Sequence, residues 1–429
     1  MQVLSEVESK NFSLVRSWFV VLIVSLFFFF EFGLGNAFNT LTPAILNAYP
    51  TLTPVTVSFI SSLYFYTNIL CLIPAAYILD RYSPRHAICL ALLVCAASIL
   101  LFSLTSNIYL IVLSRLLMGF GASFSLIGCV RVATNWFPAN RIGFVIGVII
   151  AIGMLGGYAA QAPVGHLLDW LGLQKTLLVI SLFGFCLAAL IFIVVRNAPS
   201  SRDKARKAQV EALKNDSLLT TFKNVLTKPQ NWFCGLYVGL INIGTWMLGG
   251  MWSNEYLMKT HGVSILDARS ITGFIFLGMI FAYPFWGWLT EAMQRRKLPL
   301  ILGGIFSVVI IAMIMFLSLS VTALSVLFFL LGFVTSAQTI AYPVVGEINP
   351  MKNNAIATSI VSMNSLLWGG VIAMPLFGVL TEKFNHAMGY ESMAAPGLNF
   401  GMSILLIGFI ISIIFAFFVK ETYCKRQVE

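Results

Sequence analysis

Glu31 is the residue whose placement says most. It sits inside an apolar run, Trp18–Phe38, directly after Phe27-Phe28-Phe29-Phe30. An ionised carboxylate in such surroundings is costly unless paired or wetted, so the group can take up a proton on one side of a barrier and release it on the other. A structural carboxylate pinning this run to a neighbour is the plainer alternative. Arg115 lies in a second apolar run, where it could bond backbone carbonyls within the bundle, and Arg131 lies at that run's end, where an arginine can hold a carboxylate or phosphate through paired hydrogen bonds. Arg131 could instead snorkel to the surface there. Amide and aromatic residues recur at helical spacing: Tyr64/Asn68, Asn242/Trp246, Gln338/Tyr342 and Asn364/Trp368. Each i, i+4 pair presents one helix face. Asn36, Asn39 and Gln161 add further amides. Hydrogen bonding beside stacking suits a small polar organic solute, while the same amides could serve as helix–helix glue.

The elements that must position these residues are membrane helices. Apolar residues make up 59% of the 429 and charged residues 10%, far from the balance of a water-soluble domain. Twelve runs are long enough to cross a bilayer. They lie near Trp18–Phe38, Val55–Leu79, His86–Leu104, Ile108–Val130, Ile142–Gly165 and Leu173–Val195. The second set lies near Trp232–Trp252, Ser270–Thr290, Pro299–Leu319, Thr322–Val345, Ala355–Leu380 and Phe400–Val419. The fold class expected is an all-α membrane protein: twelve transmembrane helices in two pseudo-symmetric six-helix bundles. The bundles would be residues 1–195 and 229–429, joined by a polar linker, 196–228.

With both termini cytoplasmic, only Lys175, Lys259, Arg269 and Lys383 of the 26 Lys and Arg fall outside the cell, and Arg115 lies within a run. That asymmetry follows the positive-inside rule. It also accounts for the net charge of +10 without a nucleic-acid partner. The first run carries Glu31 and lacks a small-x-small cleavage site, so it is expected to stay as a helix rather than act as a signal peptide. The two sequons, at Asn11 and Asn215, fall on the cytoplasmic side, which favours a bacterial inner membrane.

The halves repeat each other. The turn Asp80-Arg81-Tyr-Ser-Pro-Arg85 is echoed by Glu291-Ala-Met-Gln-Arg295-Arg296 at the matching place. Gly119-Phe120 recurs as Gly332-Phe333, and Gly156-Gly157 as Gly369-Gly370. Matching order in both halves is the mark of an internal duplication.

On these motifs the chain resembles the major facilitator superfamily over essentially its whole length. Asp80-Arg81…Arg85 resembles that family's loop between helices two and three, with Ala76 and Ser83-Pro84 departing from its pattern. Arg115-Leu-Leu-Met-Gly119-Phe-Gly121-Ala resembles its helix-four motif. Gly128–Pro138, with Arg131 and Trp136-Phe137-Pro138, resembles bacterial organic-solute carriers, including phagosomal-type nutrient transporters. Gly153, Gly156, Gly157, Pro163 and Gly165 resemble the glycine-proline motif of drug/proton antiporters, but Gln161-Ala162 stand where that motif has Gly before Pro.

The resemblance implies a central cavity lined by helices one, two, four, five, seven, eight, ten and eleven, with three, six, nine and twelve outside. It suggests a role in proton coupling for Arg115, with no partner named by the sequence. Asp80, Arg81, Arg85, Glu291, Arg295 and Arg296 lie at cytoplasmic helix ends, where carboxylates and arginines can pair, and are read as a gate, with topology alone as the plainer alternative. The expected function is proton-coupled symport of an amino acid, carboxylate or nucleoside by alternating access; the alternative is a proton-driven exporter of drugs, metabolites or siderophores. The expected partners are the solute, protons and lipid, the working unit a monomer. An enzyme is disfavoured: there are four histidines, no metal-ligand cluster and no phosphate-binding Gly-rich loop with Lys, so neither cofactor nor ATP is expected.

Overall fold

The computed structural model describes residues 14–137, 141–196, 224–350 and 353–427. The described chain is helical, and eleven of its helical runs are long and apolar enough to cross a membrane. One of these, Ile142–Val194, contains 53 residues and would be far too long for a single crossing. Gly172, with φ 75°, breaks it into two. That left-handed conformation is open to glycine at little cost. Twelve crossings result among the described residues: α1 Leu14–Asn36, α2 Pro54–Arg81, α3 Pro84–Leu104, α4 Ile108–Trp136, α5 142–171 and α6 173–194. The second set is α7 Pro229–His261, α8 Ile265–Met293, α9 Lys297–Phe316, α10 Val321–Ile348, α11 Ile356–Ala387 and α12 Ala395–Phe418. The linker expected over 196–228 lies mostly outside the described residues.

Helices outrun the apolar runs that announce them. A short helix, Phe38–Ala48, extends α1, and α7 continues to His261. Backbone hydrogen bonding carries on past the point where side chains must be apolar. The membrane face where α1 begins and α12 ends is the inner face, and the opposite one the outer face.

Packing repeats between the halves. α1 packs on α5 as α7 packs on α11, α2 on α4 as α8 on α10, and α3 on α6 as α9 on α12. The bundles meet through α5 with α8 and α2 with α11. Repeated glycines explain the close approaches. A Cβ on Gly119 would come within 2.1 Å of the Tyr64 carbonyl oxygen, and one on Gly332 within 1.9 Å of that of Ile275. Backbones at such range gain the dispersion contacts that hold membrane helices together.

The outer helices expose continuous apolar stripes. Leu182, Phe192 and Ile193 on α6, Phe306, Val309 and Phe316 on α9, and Ile407, Ile414 and Phe417 on α12 are all open. On the inner helices Glu31, Asn68, Arg115, Gln161, Asn242, Gln338 and Asn364 are all buried, as the cost of a polar group in hydrocarbon requires.

Candidate transport site

Three clusters of polar and aromatic groups mark the core: one in the first bundle, one where the bundles meet and one in the second bundle. The first surrounds Glu31, which is 4% exposed. The Tyr64 hydroxyl of α2 donates to Glu31 Oε1, and Ser125 Oγ of α4 donates to Oε2 at 2.8 Å. Ser125 is placed by an interruption of α4 between the stretches Ile108–Ala122 and Ser125–Trp136. Among the described residues no basic side chain lies at ion-pair distance from Glu31.

Arg115 is fully buried two turns into α4. Its Nη2 donates to the Ser61 carbonyl at 2.9 Å and its Nη1 approaches the Met118 sulfur at 3.1 Å. The guanidinium lies 4.2 Å from the Phe38 ring centroid and 5.2 Å from that of Tyr64. It therefore faces the phenol that binds Glu31, a cation–π arrangement strengthened by the burial of both groups. Ser125 escaped sequence reasoning because single serines are common in membrane helices.

The second cluster closes the outer side. Asn39 Nδ2 donates to Gln161 Oε1 at 2.9 Å and to Ser253 Oγ at 3.1 Å. Asn254 returns two bonds to Asn39, from its backbone N–H to Oδ1 at 3.1 Å and from Nδ2 to the carbonyl at 3.0 Å. Gln161 Nε2 donates to the carbonyls of Asn36 and Gly249, at 3.2 and 3.0 Å. Arg269 of α8 pairs with Asp169 of α5 at 2.6 Å. So Asn36, Asn39 and Gln161 are gathered into a lock between the bundles. Above it opens a cavity of about 290 Å³ lined by Asn39, Trp252, Asn254 and Glu255.

The third cluster belongs to the second bundle. Asn242 Nδ2 donates to Ser365 Oγ, Trp246 Nε1 approaches the same oxygen at 3.3 Å, and Gln338 Nε2 donates to Asn242 Oδ1 at 3.2 Å. Three helix irregularities converge there. α7 widens to a π-helix over Gly244–Trp252, α11 does so over Leu367–Ala373, and α10 tightens to a 3₁₀ turn over Ser336–Ile340. Such departures concentrate at functional places. Tyr342 faces Ser362 at 3.4 Å. Asn364 donates to its own helix at Ile360, and Trp368 packs on Gly239. Asn68, one turn inward of Tyr64, is buried. Arg131 is half-buried near the inner end of α4.

The expected gate is divided. The side chains of Asp80 and Arg81 lie outside the described ones. Arg85 donates to the Phe192 carbonyl and stacks on that ring at 4.4 Å. Glu291 and Arg295 are exposed. Arg296 is buried and pairs with Glu347 at 2.8 Å and Thr290 at 2.9 Å. The segment after α12 folds over it: Glu421 accepts backbone N–H bonds from Arg296 and Lys297, both 2.9 Å, and from Thr422 and Tyr423. Burial alone would push the Glu421 carboxyl up, but these four donors hold it below its ordinary range. Glu347 and Glu421 were not apparent in sequence because neither belongs to the repeated turn.

Twelve helices in two repeated bundles, with polar clusters at their core, define a membrane transporter. The sequence profile of the Major Facilitator Superfamily matches residues 21–268 and 234–427, and the chain belongs to that family. It is similar to the uncharacterized transporter YybO of Bacillus subtilis, 19% identical over 94% of this chain and 93% of that one. It is also similar to a D-galactonate transporter of Escherichia coli, 22% identical over 83% and 88%. A bacterial homologue of the human lysosomal transporter Spinster, solved in an inward-facing and unoccupied conformation, superposes with a TM-score of 0.73. It is 16% identical, with 95% of this chain and 97% of that one covered.

Proposed function

We propose that this transporter is a proton-coupled symporter of a small polar organic solute, an amino acid, carboxylate or nucleoside, working by alternating access. The observation that carries the reading is Glu31: a carboxyl buried mid-membrane, held by two hydroxyls and by no cation among the described residues. Hydroxyls donate to the ionised form and, by rotating, accept from the protonated one, so the site tolerates both states. A fixed cation beside it would instead hold the carboxyl in its ionised form.

The solute is assigned to the inner side of the second bundle. Asn242, Gln338 and Ser365 offer hydrogen bonds there, and Trp246 offers a ring. In this reading Asn68, buried on α2, and Arg131, half-buried near the inner end of α4, complete the site from the first bundle, and Arg131 would favour a solute bearing a carboxylate. The inner face is cytoplasmic by the distribution of Lys and Arg, in a bacterial inner membrane, and a monomer suffices. In this reading residues 1–195 and 229–429 rock about the lock, with 196–228 as their tether.

The test is solute uptake into proteoliposomes under an imposed inward proton gradient, screening amino acids, sugar acids and nucleosides. Accumulation abolished by a protonophore establishes symport. Proton release on adding solute, with no accumulation, would replace symport with export by exchange.

A further inference from the structure

Tyr64 and Phe65 are consecutive on α2, and their side chains leave the helix about 100° apart, as successive residues of an α-helix must. Tyr64 enters the first bundle and binds Glu31. Phe65 crosses to the second bundle and meets the ring of Trp246 edge to face, centroids 4.9 Å apart and planes at 76°. The two α2 rings also touch each other, at 4.9 Å and 89°. Trp246 in turn reaches Ser365, which Asn242 and Gln338 complete. One unbroken series of contacts thus leads from the carboxyl to the amide cluster.

Phe65 has little room to absorb a displacement. A Cβ on Gly370 would lie 2.2 Å from its ring, so the α11 backbone is pressed flat against it. A Cβ on Gly369 would lie 2.6 Å from the Trp246 ring. The consecutive glycines sit in the π-helical stretch of α11, and Trp246 sits in that of α7. A π-turn can pass to an α-turn by a shift of one residue, so both segments have a second arrangement close by. Packed interiors change between discrete arrangements rather than by smooth deformation.

We propose that Phe65 is a positioning residue that carries the protonation state of Glu31 to the second-bundle pocket through Trp246. The inference rests on the proposed roles of Glu31 as proton site and the amide cluster as solute site. When Glu31 takes up a proton, its carboxyl becomes a donor and no longer needs both hydroxyls. Tyr64 is then released from one fixed geometry, its ring presses or frees Phe65, and Trp246 resets the oxygen of Ser365. Run backwards, solute at Ser365 and Asn242 fixes Trp246 and favours one state of Glu31, as the reciprocity of linkage demands. The titratable groups around Glu31 are Tyr64 of α2, Cys95 of α3, and Cys129 and Arg115 of α4, the last acting through the Tyr64 ring.

The experiment needs no solute. The full-length protein is labelled with 5-fluorotryptophan, and the Trp246 resonance is assigned by its loss in Trp246→Phe. Its ¹⁹F shift is followed against pH in wild type, Glu31→Gln, Phe65→Leu and Phe65→Tyr. The expected result is a titrating Trp246 line in wild type and Phe65→Tyr, and a line fixed over the same range in Glu31→Gln and Phe65→Leu. Thermal melting checks that Phe65→Leu folds, and Phe65→Met replaces it if it does not. A line that titrates in wild type, is silent in Glu31→Gln and still titrates in Phe65→Leu overturns the role of Phe65 and leaves that of Glu31 standing. A line that is silent in wild type, or that titrates unchanged in Glu31→Gln, overturns both.

Discussion

Arg269 of α8 reaches Asp169 of α5 over the Cα of Gly165, with Nη1 and Oδ2 at 2.6 Å. A Cβ on Gly165 would sit 2.6 Å from the arginine side chain, so this crossing between bundles needs the glycine. The pair ties the two bundles beside the outer lock, and in the alternating-access reading it breaks when that side opens. Asp169 is 49% exposed, so the ion pair is screened and contributes about 0.5–1 kcal/mol. Asp169→Asn should therefore shift the ratio of outward-open to closed molecules by about two- to fivefold. Spin-label distances across the outer face, with the labels on the ends of α1 and α7, measure it. An unchanged distance distribution would show that the amide lock alone holds the face shut.

Glu31→Gln keeps the shape and removes the proton. Uptake driven by a pH gradient is expected to fall to the level of equilibration, while exchange of labelled for unlabelled solute continues at any pH. Tyr64→Phe should act more mildly, removing one hydroxyl donor worth about 0.5–1.5 kcal/mol and moving the pH profile without flattening it. Full pH-driven accumulation by Glu31→Gln would end the case for this carboxyl as the proton site.

The second-bundle cluster separates binding from coupling. Gln338→Ala and Ser365→Ala each remove a hydrogen-bonding group from a buried set, which costs about 1–3 kcal/mol where a partner is left unsatisfied. Solute KM is expected to rise by about tenfold in both, and the pH dependence to stay as in wild type in Gln338→Ala, which removes a bond to Asn242 and not one to Trp246. If the pH profile moved and KM did not, the assignments of proton and solute to the two bundles would have to be exchanged.

The fold was largely legible in sequence, because length and hydropathy fix where a helix must cross. The repeated Gly119 and Gly332 proved to be the same packing contact in each bundle. Three things stayed hidden. Gly172 breaks a helix through its backbone angle, which one glycine among 33 does not advertise. Ser125, Ser253 and Ser365 matter through partners distant in the chain, and nothing local marks them. Asn36, Asn39 and Gln161 were recognisable as polar groups turned from lipid, but their distribution between lock and pocket depends on how the bundles meet. The turn after α8 showed its arginines and not their partners, since Glu347 and Glu421 come from other helix ends.

That turn yields a prediction about stability. The Glu421 carboxyl is held below its usual range by four backbone donors, so its ionised form stabilises the folded state. For a depressed carboxyl the contribution is complete above the unfolded value of 4.5 and is lost as pH falls towards the folded one. Glu421→Gln should therefore melt at a lower temperature than wild type at neutral pH. The gap should close as the pH is taken below 4.5 and through the lower folded value. Equal melting temperatures at pH 7 would mean that the segment after α12 contributes nothing to holding the α8–α9 turn.

Gly157 and Gly370 occupy matching places in α5 and α11, and each faces a phenylalanine of the opposite bundle. A Cβ would lie 2.6 Å from Phe276 in one case and 2.2 Å from Phe65 in the other. Gly157→Ala and Gly370→Ala should both overpack the interface, at about 1–3 kcal/mol each, and lower the melting temperature alike. Adding Phe276→Leu or Phe65→Leu in the respective variant should recover most of that loss, with a coupling energy visible in each double-mutant cycle. Transport should tell the two sites apart. The repair at Gly157 and Phe276 is expected to restore uptake with its pH dependence. The repair at Gly370 and Phe65 is expected to restore stability alone, because the ring beside Tyr64 is gone. Recovery of pH-driven uptake in both repaired variants would make the two contacts equivalent, and the duplication would then extend to the coupling itself.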